Sequence, residues 1–432
     1  NGVMLKMELP EDEGAVSMAA ETLVLTDRGD GSVSVAFPAT MPITMTMTPA
    51  DGKTVDMVVD HTQSGQSMIV SGTPEDMSYE YAIDKAGFAL TELVIDGQPL
   101  GQDVARFDIA MNALKGKSRV VVGEMRAIAQ ELSADEVTYD FAFNAPDQSA
   151  SSVVSGRVSD LSSEGTTTLP LEINTDDPAQ MFADGVAADG QISIGSGSME
   201  FSGTENGQTT TGETSNGASQ IHVAASSETI TYDVSTLDLA VKVNTPDMPF
   251  PLEMNMAESG FNLTLPVAAA DQPQDMALGL TLDEFTMSDM LWSLFDPTKV
   301  MPRDPATVSV DLTGTVTPFV DMLNPESMAS LEQTGGVPGE LNTLTLNNLT
   351  VDAVGARLTG EGDFTFDNSD LVTFDGMPAP EGAVSLTLEG GNALIDRLIE
   401  MGFVTQQDAM GARMMLSMFS VPGDGEDSLK SK

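Results

Sequence analysis

The chain has no cysteine, which excludes disulfides, thiol nucleophiles and Cys-ligated zinc or iron–sulfur centres. Histidine is nearly as scarce: His61 and His222 are the only two, too few for a three-histidine metal centre. One tryptophan, Trp292, and four tyrosines leave little from which to build the aromatic platforms of a sugar site. A glycosidase with paired carboxylates is therefore the least favoured reading. Basic residues are few as well. The 18 Lys plus Arg stand against 66 Asp plus Glu, a formal net charge of −48. With no basic patch to release counterions from a phosphate backbone, a nucleic-acid partner is excluded, and the charge opposes adsorption to anionic membranes. No apolar run approaches the roughly 18–20 residues of a membrane-spanning helix, so no transmembrane helix is expected.

Catalytic and cofactor motifs are missing in the same way. His61 follows Asp60 and precedes Ser64, but a Ser–His–acid triad needs a histidine held by the acid and facing the nucleophile. Nothing around His61 supplies that context, and it reads as a loop or strand-end residue. His222 alternates with Ile221 and Val223 and reads as the solvent side of a strand. Gly195-Ser196-Gly197 reads as a bend, and Gly360-Glu361-Gly362 leads into a strand where a dinucleotide fingerprint needs a helix. Asp27-Arg28-Gly29-Asp30-Gly31 and Asp424-Gly425-Glu426-Asp427 lack the twelve-residue ligand spacing of an EF-hand and read as acidic turns; the many carboxylates leave other oxygen-only calcium binding open. The expectation is a protein that is not an enzyme, with no cofactor and no metal site.

What is present is alternation with a period of two. Met45 and Met47 alternate with threonines, Met254 and Met256 with Glu253 and Asn255, Phe261, Leu263 and Leu265 with Asn262 and Thr264. Phe364 and Phe366 alternate with acids and Thr365, and Val384, Leu386 and Leu388 with Ser385 and Thr387. Each run places apolar groups on one face of a strand and polar groups on the other, the pattern of antiparallel sheets with one wet face. Gly29-Asp30-Gly31, Asp96-Gly97, Asn206-Gly207, Asn216-Gly217 and Asp375-Gly376 supply hairpin chemistry between them. Gly203 to Gly217 is polar and reads as a long loop or very exposed strands.

Helical patterns are few. Ser288 caps a short helix over Asp289–Phe295, residues 318–333 give a second, and Asn392–Met401 with Gln406–Phe419 read as a helical hairpin interrupted at Gly402. The expected fold class is therefore mainly β: an extended, mostly antiparallel curled sheet or two related β domains, with a few short helices and a C-terminal helical hairpin. Weak repeats support duplicated strand modules, Val137–Phe141 echoing Ile230–Val234 and Ala86–Thr91 echoing Ser259–Thr264. An Ala- and Pro-rich cluster at 267–273 gives the expected division, residues 1–265 and 266–432, unless the sheet runs on continuously.

Methionine is abundant, with 28 residues. Most are core filling, but a flexible, polarizable side chain also suits a groove that accepts apolar chains of variable shape. Met254, Met256, Phe261, Phe364 and Phe366 are the candidate ligand-lining residues.

Three segments carry a resemblance: Thr26 to Val33, Leu358 to Asn368, and Met410 to Met415 with Val421 to Asp427. They resemble an uncharacterised alphaproteobacterial family, the domain of unknown function twenty-one twenty-five, found in Rhodobacter relatives, and the likeness runs over most of the chain. Its motifs are structural and bring no catalytic residues with them. The resemblance implies an exported, periplasmic protein whose precursor has a signal peptide before Asn1 and a short tail after Lys432. More loosely, the architecture is similar in style to AsmA-like and YdgA-like envelope proteins, whose long sheets fold around an apolar groove. The first functional expectation is a non-enzymatic periplasmic envelope protein that binds or carries lipid or another apolar ligand in a β groove. The alternative is a structural or interaction protein of the envelope, with protein partners or further copies of itself on its β faces and edges.

Overall fold

A computed structural model describes residues 2–8, 14–48, 53–145, 149–172, 178–334 and 336–432. Strand accounts for 66 % of the chain, so the protein is mainly β, and each strand pairing described below is antiparallel. The chain divides into two units.

Unit one comprises Asn1–Leu171, Gly190–Ser219 and Val241–Pro251. Its centre is a set of unusually long strands, Asp76–Ile95, Ala105–Val122, Met125–Asn144 and Ala150–Pro170, each paired with the next. Ser196–Glu205 pairs with the last of these, and Gln208–Asn216 follows it. The polar stretch Gly203 to Gly217 is thus mostly two strands of a hairpin. Its turn residues, Asn206 and Gly207, lie at φ 52° and 77°, and Asp96 and Gly97 at 49° and 74°; these are the left-handed pairs that match the twist of the flanking strands.

A line of unusual backbone crosses the long strands. Ala113 and Asp160 sit in strand interiors at φ 53° and 50°, a region costly for residues with a Cβ. The flanking registers bring Ala113 opposite Asp84 on one side and Asp135 on the other. The apolar phase reverses along this line. In Ala105–Val122 it passes from Phe107, Ile109 and Met111 to Leu114 and Val120, and in Met125–Asn144 from Ile128 and Leu132 to Val137, Tyr139 and Phe141. A reversal of the pleat there, as at a β-bulge, keeps all of these side chains on one face. Ala86 and Ala134, 4 % and 2 % exposed, flank the crease.

Unit two comprises Glu172–Asp189, Gln220–Ala240 and Leu252–Lys432. Its body is a meander of Leu252–Pro266, Gln274–Met287, Ala306–Pro318, Gly339–Ala353, Ala356–Asp367 and Ala379–Glu389, closed by Ser428–Ser431. The Ala- and Pro-rich cluster at 267–273 is a turn between two strands paired along most of their length. It is not a linker, and the unit begins upstream of the division expected at 265/266. Glu284, at φ 50°, repeats the crease: Met276, Leu278, Leu280 and Leu282 give way to Phe285 and Met287. The helices Asp289–Trp292, Pro325–Thr334, Gly391–Glu400 and Gln406–Phe419 lie between strands. Ser288 caps the first through Leu291 N–H. The second starts later than expected, because Phe319, Met322 and Leu323 precede it.

The closed core is thin. Among the described residues the buried apolar side chains larger than alanine are Met41, Val59, Val186, Val267 and Met301 with the prolines Pro266 and Pro318. The accessible surface is 25467 Å², whereas even two separate compact units of half this mass would expose only about 19,000 Å² together.

Candidate apolar ligand faces

In antiparallel pairs, directly opposed residues share a face, so the registers write out the apolar face of unit two. Phe261, Leu280, Val310, Leu349, Gly360 and Leu386 form one row across six strands. Leu263, Leu278, Leu312, Leu346, Gly362 and Val384 form the next. Leu344 and Phe364 continue a third, between Gly314 and Gly382. The opposite face is polar; Thr281, Ser309, Thr350, Thr359 and Thr387 make one of its rows. None of the apolar row residues is fully buried, and Leu280 and Val384 are 38 % and 37 % exposed. The face is open.

The five candidate lining residues all belong to this unit. Phe261 and Phe364 lie in its apolar rows, half-buried; Phe366 is half-buried opposite Pro380. Met254 pairs with Met287 near the start of the meander and is 36 % exposed, while Met256 is half-buried. Met254 and Met256 lie on the other side of the Glu284 crease from Phe261, where the apolar phase of the strand has changed.

Sequence reasoning missed the aromatic stripe of unit one. Val59, Leu90, Phe107, Phe141, Val154 and Phe201 line up across six strands, with His61, Phe88, Ile109, Tyr139 and Met199 in the adjacent row. Phe107 and Phe141 stack at 5.1 Å, and Tyr139 and Phe141 at 5.5 Å. Glycines make room for the rings: a Cβ at Gly156 would collide with Tyr139, and one at Gly212 with Phe201. The alternation Tyr139, Phe141, Phe143 was the available signal. His61 belongs to this stripe, with its ring 4.7 Å from Phe88 and Nδ1 3.2 Å from the Gly87 carbonyl.

One end of the unit-two meander is fastened by polar groups. Asp296 is fully buried. Burial pushes its carboxyl up, but the N–H groups of Val300 and Met301, each donating at 2.9 Å, and the charge of Arg303 prevail and hold it below the usual carboxylate range. Arg303 lies 5.7 Å from the centre of the Trp292 ring and pairs with Asp289 at 2.6 Å. Beside this, Asp427 accepts from the N–H groups of Asn392 and Ala393 at the start of the helical hairpin. Burial opposes its ionisation, and these donors with the Asn392 amide and Arg413 lower its pKa overall. Arg413 ties the two helices through Asp396 at 2.6 Å.

A concavity of about 750 Å³ lies in unit one beside the crease and mixes polar and apolar lining. Lys115, Lys117, Glu80, Glu131 and Glu164 line it with several serines around Tyr81 and Leu132; burial pushes the Tyr81 hydroxyl pKa up. This lining lacks the continuous apolar area of the two faces. His222 pairs with exposed Asp189 at 3.2 Å. Among the described residues no three His, Asp or Glu side chains converge as metal ligands, and no helix is long and apolar enough to cross a membrane.

A family model described as an uncharacterized protein conserved in bacteria, DUF2125, matches residues 186–431. No curated protein and no solved structure matches the chain.

Proposed function

The chain belongs to the uncharacterised bacterial family DUF2125, and from that premise we propose that it is a non-enzymatic envelope protein that holds a lipid or other elongated apolar ligand against its open β faces. One observation carries the reading: apolar rows six strands wide stay half-exposed, where a self-sufficient sheet would seal them against a second layer. At ~25 cal/mol per Å², leaving such area in water forgoes several kcal/mol that a ligand would recover. The same reading takes the protein as exported to the periplasm, in keeping with its resemblance in style to AsmA-like envelope proteins. Titration with a fluorescent fatty acid tests it: saturable binding, displaced by unlabelled lipid and weakened by Phe141→Glu or Phe261→Glu, is the expected result, and no binding by the folded protein rejects it.

The second reading, an interaction protein, is favoured by the N-terminal strand Val3–Glu8. Met4, Leu5 and Met7 are 68 %, 63 % and 61 % exposed there, and a strand of this kind offers an edge to another chain. It predicts concentration-dependent association that removal of residues 3–8 abolishes.

A further inference from the structure

The Gln406–Phe419 helix has its polarity reversed. Ala409 is buried, and Arg413 and Leu416 face inward, whereas Met410, Met414, Met415, Met418 and Phe419 are between 59 % and 66 % exposed. Helical geometry puts these five on the outward side. Phe403, in the connection before the helix, is 62 % exposed. A surface helix normally turns such residues to the core, and an apolar patch of this kind marks an interaction site.

The exposure does not come from a loosely attached element. Thr405 caps the helix through Asp408 N–H, Arg413 ties it to Asp396, and Lys432 Nζ donates to the carbonyls of Ser417 and Met418 at its other end. The polar fastenings hold the apolar side outward. A second element at the same end of the meander does likewise: Met290, Leu294 and Phe295, in the connection between Gln274–Met287 and Ala306–Pro318, are 56 %, 62 % and 44 % exposed. The hairpin joins this end by Gly391 against the Leu388 side chain and by Arg397 Nη1 donating to the Val354 carbonyl.

Charge selects the occupant. The chain carries 66 acidic residues in 432, yet residues 409–423 contain none and include Arg413. A second copy would bring −48 against −48. A zwitterionic lipid surface carries no net charge, and it accommodates flexible Met and Phe side chains in its interfacial zone. We propose that this end of unit two docks on a neutral lipid surface, seating the outward face of the Gln406–Phe419 helix among the headgroups. The docking goes beyond the ligand reading and does not require it; where both hold, the apolar sheet face runs to the surface from which a water-insoluble ligand would come.

Flotation with phosphatidylcholine vesicles tests the proposal. The full chain floats with the vesicles, high salt does not release it, and anionic phosphatidylglycerol vesicles retain less of it at low salt. The combined variant Met414→Gln, Met415→Gln, Met418→Gln and Phe419→Gln loses vesicle-bound protein by at least about tenfold with an unchanged far-ultraviolet spectrum. Met414→Glu alone, at an exposed position, gives a smaller loss in the same direction. Fatty-acid binding persists in both variants, so failure of docking and failure of the ligand reading are separable. An unmodified chain that stays at the bottom of the gradient overturns the proposal. So does a preference for anionic vesicles, or a patch that instead mediates dimers dispersed by the same substitutions.

Discussion

Ala113 occupies a left-handed backbone position, φ 53°, inside an eighteen-residue strand. A Cβ in that conformation costs about 1–2 kcal/mol, and glycine removes that cost while adding about 0.5–1 kcal/mol of chain entropy. Ala113→Gly should therefore leave stability unchanged or raise it by up to about 1.5 kcal/mol. Ala113→Val should lower it by about 1 kcal/mol or more, since a β-branched side chain tolerates the position least. Urea unfolding midpoints measure both. Asp427 makes a second prediction. Its pKa is lowered in the folded chain, so its contribution is present above the unfolded carboxylate pKa, about 3.9, and disappears as pH falls through the lower folded value. The hairpin should stay fastened at neutral pH and loosen only in strongly acid solution. Asp427→Ala should loosen it already at neutral pH, costing about 1 kcal/mol as for a lost helix cap, and the difference from the unsubstituted chain should vanish in strongly acid solution. Hydrogen exchange of the amides in residues 391–419 reports the change.

Among the elements, the alternating runs and the two C-terminal helices were legible because their periods are strong and local: the Gln406–Phe419 helix has the predicted bounds. The unit-one stripe was not, because Phe88, Phe107, Phe141 and Phe201 are far apart in sequence and only register brings them together. The creases were also hidden. A change of phase such as that between Met256 and Phe261 looks like two separate strands, and only the backbone shows one strand with its pleat reversed. For the hairpin, the sequence showed two helices but not which side of the second faces out. The stripe yields a further prediction. Replacing Phe141 by Ser removes about 60 Å² of ligand contact, which at ~25 cal/mol per Å² is ~1.5 kcal/mol, so fatty-acid affinity should fall about tenfold. Thr359→Ser, on the polar face of unit two, should leave it unchanged.

For the whole molecule, the governing fact is apolar area that stays partly exposed among the described residues of each unit, in a chain whose −48 charge opposes self-association. Composition excluded cysteine chemistry early and set the expectation of no nucleic-acid partner, yet it could not tell an open face from a closed core, since both are written with the same alternation. The most direct test is native mass spectrometry of the full chain purified without detergent from cells, followed by extraction of whatever is bound. The ligand reading predicts a mass above that of the polypeptide, an extractable lipid or comparable apolar molecule, and loss of that extra mass in a Phe107→Ser, Phe141→Ser and Phe261→Ser variant that still folds. The bare polypeptide mass, together with no uptake when the protein is incubated with lipid, would contradict it.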